Sequence, residues 1–576
     1  MPVNLAKKNI TDKLGWFLFI GSLVFYFLIK LPFNLSVLCS STNEGFYFIY
    51  GMNFLNWIPP KANLFFIILY SIILKFFGFG AKSIIIVHWI QTLFVLLNGI
   101  LIFLIVNKIL SSRFFAGLAI FFWVFIITTP IGGWGKHLEL ESAYSLEAES
   151  ICVFLSLLSI YLLMISTPIN PKIGIKEKLL PFIAGILSMS SIMFKANGAI
   201  ISISILCWFF YLLLFEREKL KLLKSTFSYC LAGFILSFLI FNLIICFLNH
   251  NLFSYWNYQY SVGSYSGECF ISTKEFLLFL IKIMMRDSGS FSNFILFFFT
   301  FLFIIWGLLR EILLKNELNK YSLFVPLLAI WGVGNFCAVI APGAYGSYYY
   351  ILVWPTVAIF IIIGIRDLFN YMKLLNHKIF KTFFLILVLM YFVLRIYTVL
   401  PGYIFVVKRE LRANLFFQPE SFQDAVKLKP GQFKTDNSYR SPVLSAADFI
   451  NNLLPDKNDT FYVLNFADGH QDFSPTFYIY VKRLPPTSIF SDFLHYKNFL
   501  KERERTLIKD LKQKPPKLFI LPALLKAQKW QEKRLMPFFD WFRNYVNKNY
   551  HFKTSFYYAH SPYEKTELYH IFERNK

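Results

Sequence analysis

Charged side chains are scarce in this sequence: aspartate, glutamate, lysine and arginine make up 16% of 576 residues, whereas hydrophobic residues make up 56% and aromatic residues 20%. Soluble globular domains contain about 25% charged residues, so this composition excludes a soluble globular protein. Apolar runs of about 20 residues, long enough to cross a bilayer, recur along residues 1–400 with short polar segments between them. The sequence therefore predicts a polytopic integral membrane protein.

Strict alternation of apolar and polar residues, the pattern of membrane β-barrel strands, is absent from these runs. Helices and closed barrels are the structures whose backbones satisfy their own hydrogen bonds in lipid, so the runs are predicted to be helices. We predict about eleven transmembrane helices, at 14–33, 83–107, 114–131, 149–166, 179–194, 198–215, 226–247, 291–308, 322–340, 347–365 and 379–399. Residues 1–400 are thus expected to form an α-helical membrane domain.

The apolar run 62–80 is predicted to be re-entrant or interfacial rather than a full crossing. Short loops rich in lysine and arginine mark the cytoplasmic side of a membrane protein. Without a crossing at 62–80, these loops all fall on the side of the basic N-terminus, and with one they would all lie outside. The N-terminal segment reads as a retained signal anchor, because no small-residue cleavage site follows it. We therefore expect a plasma (inner) membrane protein.

Cysteine is sparse and confined to the membrane part: none of the seven cysteines occurs after Leu400, and no pair has CxxC spacing. This excludes a disulfide framework and a cysteine-ligated metal site in the tail. The net charge of +24 does not indicate a nucleic-acid partner, because many cations lie in short loops between apolar segments, where they determine topology. The expected surroundings are membrane lipids.

Residues 401–576 are predicted to form a second domain, of α/β class and extracytoplasmic. The tail has no nucleophile elbow, Gly-rich phosphate loop or metal-binding cluster, so the chemistry is expected in residues 1–400. Strand-like runs occur at 461–466, 477–481, 517–521, 555–559 and 568–572, and helical runs occur at 445–454, 497–512 and 536–549.

Polar residues that could take part in chemistry lie in the predicted outer loops. Asn43 and Glu44 follow the first helix and precede Phe46 and Tyr47. A carboxylate at the membrane surface is able to act as a general base on an acceptor hydroxyl, provided that it lies within hydrogen-bond reach of the proton. The alternative for Glu44 is an ordinary solvated loop glutamate.

Three further charged residues lie at ends of apolar segments. Lys61 follows a Pro-Pro pair and could meet a phosphate, or it could be a snorkelling anchor. Glu149 lies at the mouth of a membrane helix, where a carboxylate favours the positive end of the dipole and could be a simple cap. Lys195 lies in a hairpin between two membrane helices, and a lysine at this depth is costly unless paired or hydrated. Snorkelling is the alternative for Lys195 as well.

An aromatic segment near residue 345 contains tyrosines that could hydrogen-bond a sugar or a phosphate, although an interfacial aromatic belt is the alternative. These are Tyr345, Tyr348 and Tyr349. Arg395 is a further candidate cation for a phosphate. A metal site formed by residues 137–141, which include one histidine and two glutamates, has no fixed ligand spacing to support it.

The order of these elements resembles the GT-C superfamily of membrane glycosyltransferases, in particular the branch of protein O-mannosyltransferases and lipid A aminoarabinose transferases. That family has an acidic pair followed by aromatics, a Lys-Pro-Pro element, a carboxylate that opens a later helix, a Thr-Lys-Gly-like hairpin and a His-Tyr-Tyr element. The corresponding positions here are Asn43-Glu44, Ile58-Pro59-Pro60, Glu149, Phe194-Lys195 and Tyr348-Tyr349-Tyr350.

The sequence departs from the family pattern at three of these positions. Asn43 stands where the family has aspartate and cannot act as a base. Either Glu44 takes over that role, or the alignment shifts by one residue, or the activity is altered; Glu149 is the other carboxylate that could serve as the base. Ile58 replaces the lysine before the prolines, so Lys61 would have to substitute for it. Tyr348 replaces the family histidine.

The resemblance implies transfer of a hexosyl or pentosyl group from a polyprenyl-phosphate donor to a lipid, glycan or protein acceptor at the outer face of the membrane. Lys195, with Lys61 or Arg395, would stabilise the departing phosphate. No cofactor is expected, and a divalent cation is left open. Two alternatives stay open: a flippase or transporter of lipid-linked sugars, and a glycan polymerase or ligase.

Overall fold

Helices dominate the amino-terminal two-thirds of the chain, and within the described residues the strands all follow residue 460. The structure is a computed structural model. It describes residues 2–34, 42–52, 64–78, 81–127, 148–166, 174–215, 217–248, 252, 256, 299–306, 309, 320–340, 351–374, 382, 386, 449–456, 458–464, 478–479, 481–487, 500–522, 540–559 and 565–575.

Two compact units make up the chain. The first unit comprises Met1–Asn34, Asn63–Phe66 and His88–Val407, and the second comprises Leu35–Ala62, Ile67–Val87 and Lys408–Lys576. Each unit has its own hydrophobic core.

The helices before residue 375 form the larger part of the structure. They are α1 (Pro2–Asn34), α2 (Thr42–Met52), α3 (Leu64–Phe77), α4 (Ala81–Leu110), α5 (Arg113–Ile127), α6 (Ala148–Ser166), α7 (Ile175–Phe194), α8 (Ala199–Phe215), α9 (Arg217–Phe247), α10 (Val325–Ile340) and α11 (Trp354–Leu374). Most of these coincide with predicted membrane segments, because long apolar runs without breakers are helical in lipid.

Six of the described helices contain segments long and apolar enough to cross a membrane, which agrees with a polytopic membrane protein. The segments are Ile10–Leu28, Lys82–Leu110, Ala148–Ser166, Ile175–Phe194, Ala196–Phe215 and Leu223–Phe247. They differ in burial: 72% of the α6 segment is buried, against 17% of the α1 segment. Helix α6 is thus central in the first unit, whereas α1 is peripheral. The total of eleven crossings stays a prediction.

Helix α3 occupies the apolar run 62–80 that was expected to be re-entrant or interfacial. Its 14 residues span roughly 21 Å at 1.5 Å per residue, which is less than the ~30 Å of the hydrocarbon core. The helix ends at Gly78, whose positive φ of 75° is favourable for glycine, and α4 begins at Ala81. Helix α3 is therefore too short to cross the membrane by itself.

Glycines bring two pairs of helices in the first unit into backbone contact. A Cβ on Gly185 of α7 would overlap the carbonyl oxygen of Cys230 in α9, and a Cβ on Gly233 of α9 would overlap the carbonyl oxygen of Phe182. Gly117 of α5 lies against the backbone of α1 in the same way. Small residues at such crossings let membrane helices approach closely and gain packing energy.

The second unit contains a four-stranded sheet in the order β1-β2-β4-β3. Its strands are β1 (Phe461–Val463), β2 (Leu518–Pro522), β3 (Tyr550–Ala559) and β4 (Lys565–Arg574), and α12 (Leu500–Gln513) lies between β1 and β2 in the chain. Strands β1 and β2 are parallel, whereas β4 is antiparallel to both β2 and β3. The described part of the tail is thus α/β, as its sequence pattern predicts.

Alternate residues of the central strands point to opposite faces of the sheet, and each face has its own core. Phe461, Val463 and Ile520 belong to one core, which also contains Ile49 of α2 and Ile67 of α3. The second core is made by residues of the sheet, of α12 and of helical residues 540–549, namely Tyr462, Leu464, Leu507, Leu511, Phe519, Phe542, Val546 and Tyr550. Apolar residues far from the tail in sequence therefore complete the core of the second unit.

One strand expected in the tail is wrong: Tyr478 and Ile479 are helical. The ring of Tyr478 stacks on Phe461 at 4.6 Å between centroids. Its hydroxyl oxygen accepts a hydrogen bond from the backbone N–H of Val463 (3.0 Å). Strand β1 is at the edge of the sheet, so this hydroxyl satisfies a donor that the sheet leaves open.

Candidate active site

Glu149 is the second residue of α6 and is fully buried. Its carboxylate lies in the first helical turn, where the positive end of the helix dipole favours a negative charge. Nζ of Lys195 donates to Oε1 of Glu149, and the Lys195 side chain is 19% exposed. Two residues 46 positions apart in the sequence thus form an ion pair largely shielded from solvent.

The second carboxylate oxygen of Glu149 has a different environment. Oε2 is buried and accepts no hydrogen bond from any residue that the structure describes. Such a group in a native protein calls for an explanation, such as a catalytic role or a bound ligand or water. Glu149 therefore has one oxygen fixed by Lys195 and one oxygen that is available to accept a proton or a hydrogen bond.

Lys195 lies in the short link between α7 and α8. Its backbone is extended, with φ −162° and ψ 145°, and its N–H donates to the carbonyl oxygen of Ser191 at 3.2 Å. A 3-10 turn, Ala196–Gly198, follows. A Cβ on Gly198 would overlap the carbonyl oxygen of Ser191, so the close approach in this turn requires glycine. The link thus fixes the backbone from which the lysine reaches Glu149.

Hydrogen bonds between α6 and α7 hold the two ends of the ion pair in place. The hydroxyl of Ser191 donates to the carbonyl oxygen of Cys152 at 3.4 Å, and the Cys152 thiol donates to the carbonyl oxygen of Ser191 at 3.4 Å. Further along the helices, the hydroxyl of Ser159 donates to the carbonyl oxygen of Ala184 at 3.0 Å. The pair is therefore supported by a helix contact that extends beyond the two charged residues.

A stripe of buried polar side chains on α4 faces the start of α6. Nε2 of Gln91 donates to the hydroxyl oxygen of Ser150 at 2.8 Å, and Nδ2 of Asn98 donates to the carbonyl oxygen of Ser150 at 3.1 Å. Thr92 and His88 are also buried. His88 lies three residues from Gln91 and four from Thr92, so the three side chains share one face of the helix. The stripe anchors the residue next to Glu149.

This stripe was missed in the sequence. His88, Gln91, Thr92 and Asn98 are scattered in a long apolar run, where each is unremarkable by itself. The signal that could have revealed them is their spacing, because polar residues on one face of a membrane helix are buried against protein rather than exposed to lipid.

The structure brings together Glu149 and Lys195 from the predicted set. Asn43 and Glu44 lie in the first turn of α2, which belongs to the second unit. These two residues, which were expected in a loop, therefore lie at the start of a helix. Lys61, Tyr345, Tyr348, Tyr349 and Arg395 lie outside the described residues.

The arrangement at the start of α6 supports two chemical roles. A buried carboxylate with a free oxygen is able to accept a proton from a hydroxyl or an amine within hydrogen-bond reach. An ammonium beside it is able to stabilise charge on a departing phosphate. Among the residues that the structure describes, no three His, Cys, Asp or Glu side chains are close enough together to hold a metal ion, and the predicted cluster at 137–141 is outside them.

No protein-family model matches the chain, and no curated protein matches its sequence. Among solved structures, the chain is similar to the archaeal oligosaccharyltransferase AglB from Archaeoglobus fulgidus in complex with an inhibitory peptide and a dolichol-phosphate. The TM-score is 0.52 at 14% identity, over 95% of this chain and 74% of that chain. The chain is also similar to ArnT from Cupriavidus metallidurans bound to undecaprenyl phosphate, with a TM-score of 0.47, 12% identity and coverage of 96% and 98%.

At 14% identity the likeness to the oligosaccharyltransferase shows a shared fold. The chain therefore shares its fold with a membrane oligosaccharyltransferase, which agrees with the fold expected from the sequence motifs.

Proposed function

We propose that the protein is a membrane glycosyltransferase that moves a sugar from a polyprenyl-phosphate donor to an acceptor at the outer face of the membrane. The proposal rests on the buried ion pair between Glu149 and Lys195, in which Oε2 of Glu149 accepts no hydrogen bond from a described residue. The shared fold adds support, because the archaeal oligosaccharyltransferase binds a dolichol-phosphate, which is a polyprenyl phosphate.

In the proposed reaction the bond between the sugar C1 and the phosphate oxygen breaks while a bond from the acceptor oxygen or nitrogen to C1 forms. The acceptor proton moves to a carboxylate, and the polyprenyl phosphate leaves with the bonding electron pair. Lys195, held at the start of α6, stabilises the negative charge that develops on the phosphate. By analogy with the family, the configuration at C1 is inverted.

Two carboxylates are candidates for the base. Glu44 lies in the first turn of α2, at the position where the family has its acidic pair, and its neighbour Asn43 cannot accept the proton. Glu149 has a free oxygen, but its charge is already paired with Lys195. Because Lys195 already occupies one oxygen of Glu149, we assign proton transfer to Glu44 and the organisation of the phosphate site to Glu149.

The remaining predicted residues complete the proposed site. Lys61 or Arg395 supplies a second cation for the phosphate, and Asn43 hydrogen-bonds the substrate. The three tyrosines, Tyr345, Tyr348 and Tyr349, position the sugar through their hydroxyl groups and rings. The membrane domain, residues 1–400, performs the transfer, and the extracytoplasmic domain, residues 401–576, supports it. The acceptor is a lipid, a glycan or a protein, and the membrane is the plasma (inner) membrane.

A flippase or transporter of the same lipid-linked sugar would require polar residues along a path through the membrane. The polar stripe of α4 ends at Asn98, and the next buried residues of the helix are apolar. They are Leu101, Ile102, Phe103, Ile105, Val106, Ile109 and Leu110. Within α4, the buried polar residues thus continue past the middle of the helix and stop at Asn98, so its carboxyl-terminal part offers no polar path. This favours an enzyme over a transporter.

Mass spectrometry of glycolipids and glycoproteins from cells with and without the protein tests this function. We expect at least one sugar modification to disappear with the protein and to return with the wild-type chain but not with Glu149→Gln. Glu177→Gln is the matched control, because Glu177 also lies in the first turn of a membrane helix, α7, but is not in the proposed site. Identical glycan profiles with and without the protein would contradict the proposal.

A further inference from the structure

The carboxyl-terminal end of α1 has a buried polar face. Tyr26, Lys30 and Asn34 are spaced four residues apart, which places them on one side of the helix. Their exposed fractions are 1%, 3% and 2%. A lysine buried near the end of a membrane helix is costly, and such residues usually mark a functional site.

Two hydrogen-bond donors on this face have no acceptor among the residues that the structure describes. The hydroxyl of Tyr26 and the amide nitrogen of Asn34 are buried, and neither has a hydrogen-bond partner within the described part of the chain. Oδ1 of Asn34 accepts a hydrogen bond from the hydroxyl of Thr92 on α4 at 2.9 Å, which fixes the amide so that its nitrogen is left to donate elsewhere. Nζ of Lys30 lies 5.6 Å from the centre of the Tyr26 ring.

A cation and two donors that no described residue engages, all within about two helical turns, are complementary to an anion. A phosphate group presents several strong acceptor oxygens and a negative charge, so it would accept hydrogen bonds from all three side chains. Binding would also offset the cost of burying the Tyr26 hydroxyl and the Asn34 amide nitrogen, which have no partner among the described residues.

The neighbouring face of α1 indicates that the anion is attached to a hydrocarbon chain. Val24, Phe25, Phe27 and Leu28 are exposed large hydrophobic residues on either side of this polar face. In a membrane helix, exposed apolar side chains face lipid tails. A phosphate attached to a long hydrocarbon chain could therefore lie with its chain along α1 and its head group at Lys30.

We propose that Tyr26, Lys30 and Asn34 form a second phosphate-binding site, separate from Lys195, that holds the head group of a polyprenyl phosphate. The site is linked to the candidate active site through α4: Thr92 contacts Asn34, and the adjacent Gln91 contacts Ser150 beside Glu149. The assignment of a polyprenyl phosphate rests on the proposed function.

Binding of undecaprenyl phosphate to the full-length protein in lipid nanodiscs, measured by native mass spectrometry or thermophoresis, tests this site. Undecaprenol and inorganic phosphate are the comparison probes. We expect Lys30→Met to weaken binding of undecaprenyl phosphate at least about tenfold, because a charge-assisted hydrogen bond is lost. Asn34→Asp is expected to weaken it similarly, since its carboxylate still accepts from Thr92 but repels phosphate. Lys30→Arg should retain most of the affinity.

Lys13→Met is the matched control, because Lys13 is an exposed lysine on the same helix, and its affinity should equal that of the wild type. Should Lys30→Met fail to fold, Asn34→Asp decides the outcome. Wild-type affinity in Lys30→Met and Asn34→Asp, in a protein that still transfers sugar, would overturn the second site and leave the proposed function standing. Equal binding of undecaprenol and undecaprenyl phosphate by the wild type would overturn both. Displacement of the lipid by inorganic phosphate at a similar concentration would overturn the assignment to a lipid.

Discussion

At the scale of single residues, the ion pair between Glu149 and Lys195 links stability to function. The carboxylate is fully buried, and the nearby ammonium offsets the cost of its desolvation. Removing one member of a buried pair leaves an uncompensated charge, whereas replacing both is often tolerated. The two residues therefore have to be tested together.

We predict that Lys195→Met lowers the free energy of unfolding by about 3–5 kcal/mol and abolishes sugar transfer. The double variant with Glu149→Gln should recover most of that stability without recovering activity, because no buried charge is left unpaired. The unfolding of the wild type, Lys195→Met, Glu149→Gln and the double variant in detergent, followed by intrinsic fluorescence, provides the comparison. Equal stability of Lys195→Met and the wild type would show that the pair is not coupled.

For the base, we predict that Glu44→Gln lowers turnover by about 10²–10⁴-fold, the usual contribution of general-base catalysis, while donor binding is largely kept. Steady-state kinetics with a fixed acceptor separates the two effects. If Glu44→Gln is fully active and Asn43→Asp raises the rate, the chain has lost the base of its relatives. If neither substitution changes the rate, the base is elsewhere.

The sequence identified Glu149 and Lys195 as separate candidates, since each is a charge at the end of an apolar run. Their pairing could not be predicted, because it depends on how α6 packs against the link after α7. The unpartnered Oε2 depends on the same packing. The roles of Asn43 and Glu44 stay predictions, as do those of the residues outside the described part of the chain.

At the scale of helices, close packing depends on glycines whose importance the sequence does not reveal. Glycine is common in membrane helices, and the partner of each one is decided by the packing. Gly185 lies against the backbone of α9, and Gly233 lies against the backbone of α7. An added Cβ on Gly21 of α1 would meet nothing within 4 Å.

We predict that Gly185→Ala and Gly233→Ala each destabilise the protein by about 1–3 kcal/mol, the usual cost of overpacking a core, because α7 and α9 would have to separate. Gly21→Ala should be close to neutral. Thermal unfolding of the purified proteins in the same detergent measures the difference. Unfolding temperatures that match between Gly185→Ala and Gly21→Ala would contradict the close helix contact.

Helix positions were predictable because apolar runs in lipid have few alternatives to helix. The tail was less predictable: Tyr478 and Ile479 read as part of a strand, since their side chains are apolar or aromatic. They are helical because Tyr478 packs on Phe461 and satisfies the edge of β1. That requirement comes from the completed sheet and is not visible in the local sequence.

At the scale of the whole molecule, the distribution of basic loops predicts the topology. Lysine and arginine in short loops remain on the cytoplasmic side, and with eleven crossings this rule predicts a C-terminus outside the cytoplasm. The second unit contains residues from 35–62 and 67–87 as well as the tail. These residues belong to the second unit because Ile49 and Ile67 are part of the same hydrophobic core as Phe461. No periodicity in the tail could have indicated those partners.

We predict that a reporter fused after Lys576 is extracytoplasmic, and that a reporter inserted in the loop 310–320 is cytoplasmic. Paired alkaline phosphatase and fluorescent protein fusions distinguish the two sides. The same side for both reporters would contradict the eleven-crossing topology and the outer placement of the site.

Donor turnover by the purified protein is the most direct test of the central claim. The protein in nanodiscs would be given a panel of undecaprenyl-phosphate sugars with a membrane extract as acceptor, and released undecaprenyl phosphate would be measured by mass spectrometry. We predict that the wild type and Glu177→Gln release it from at least one donor in an acceptor-dependent manner, and that Glu149→Gln and Lys195→Met do not. No release by the wild type from any donor, or equal release by Glu149→Gln, would contradict the account.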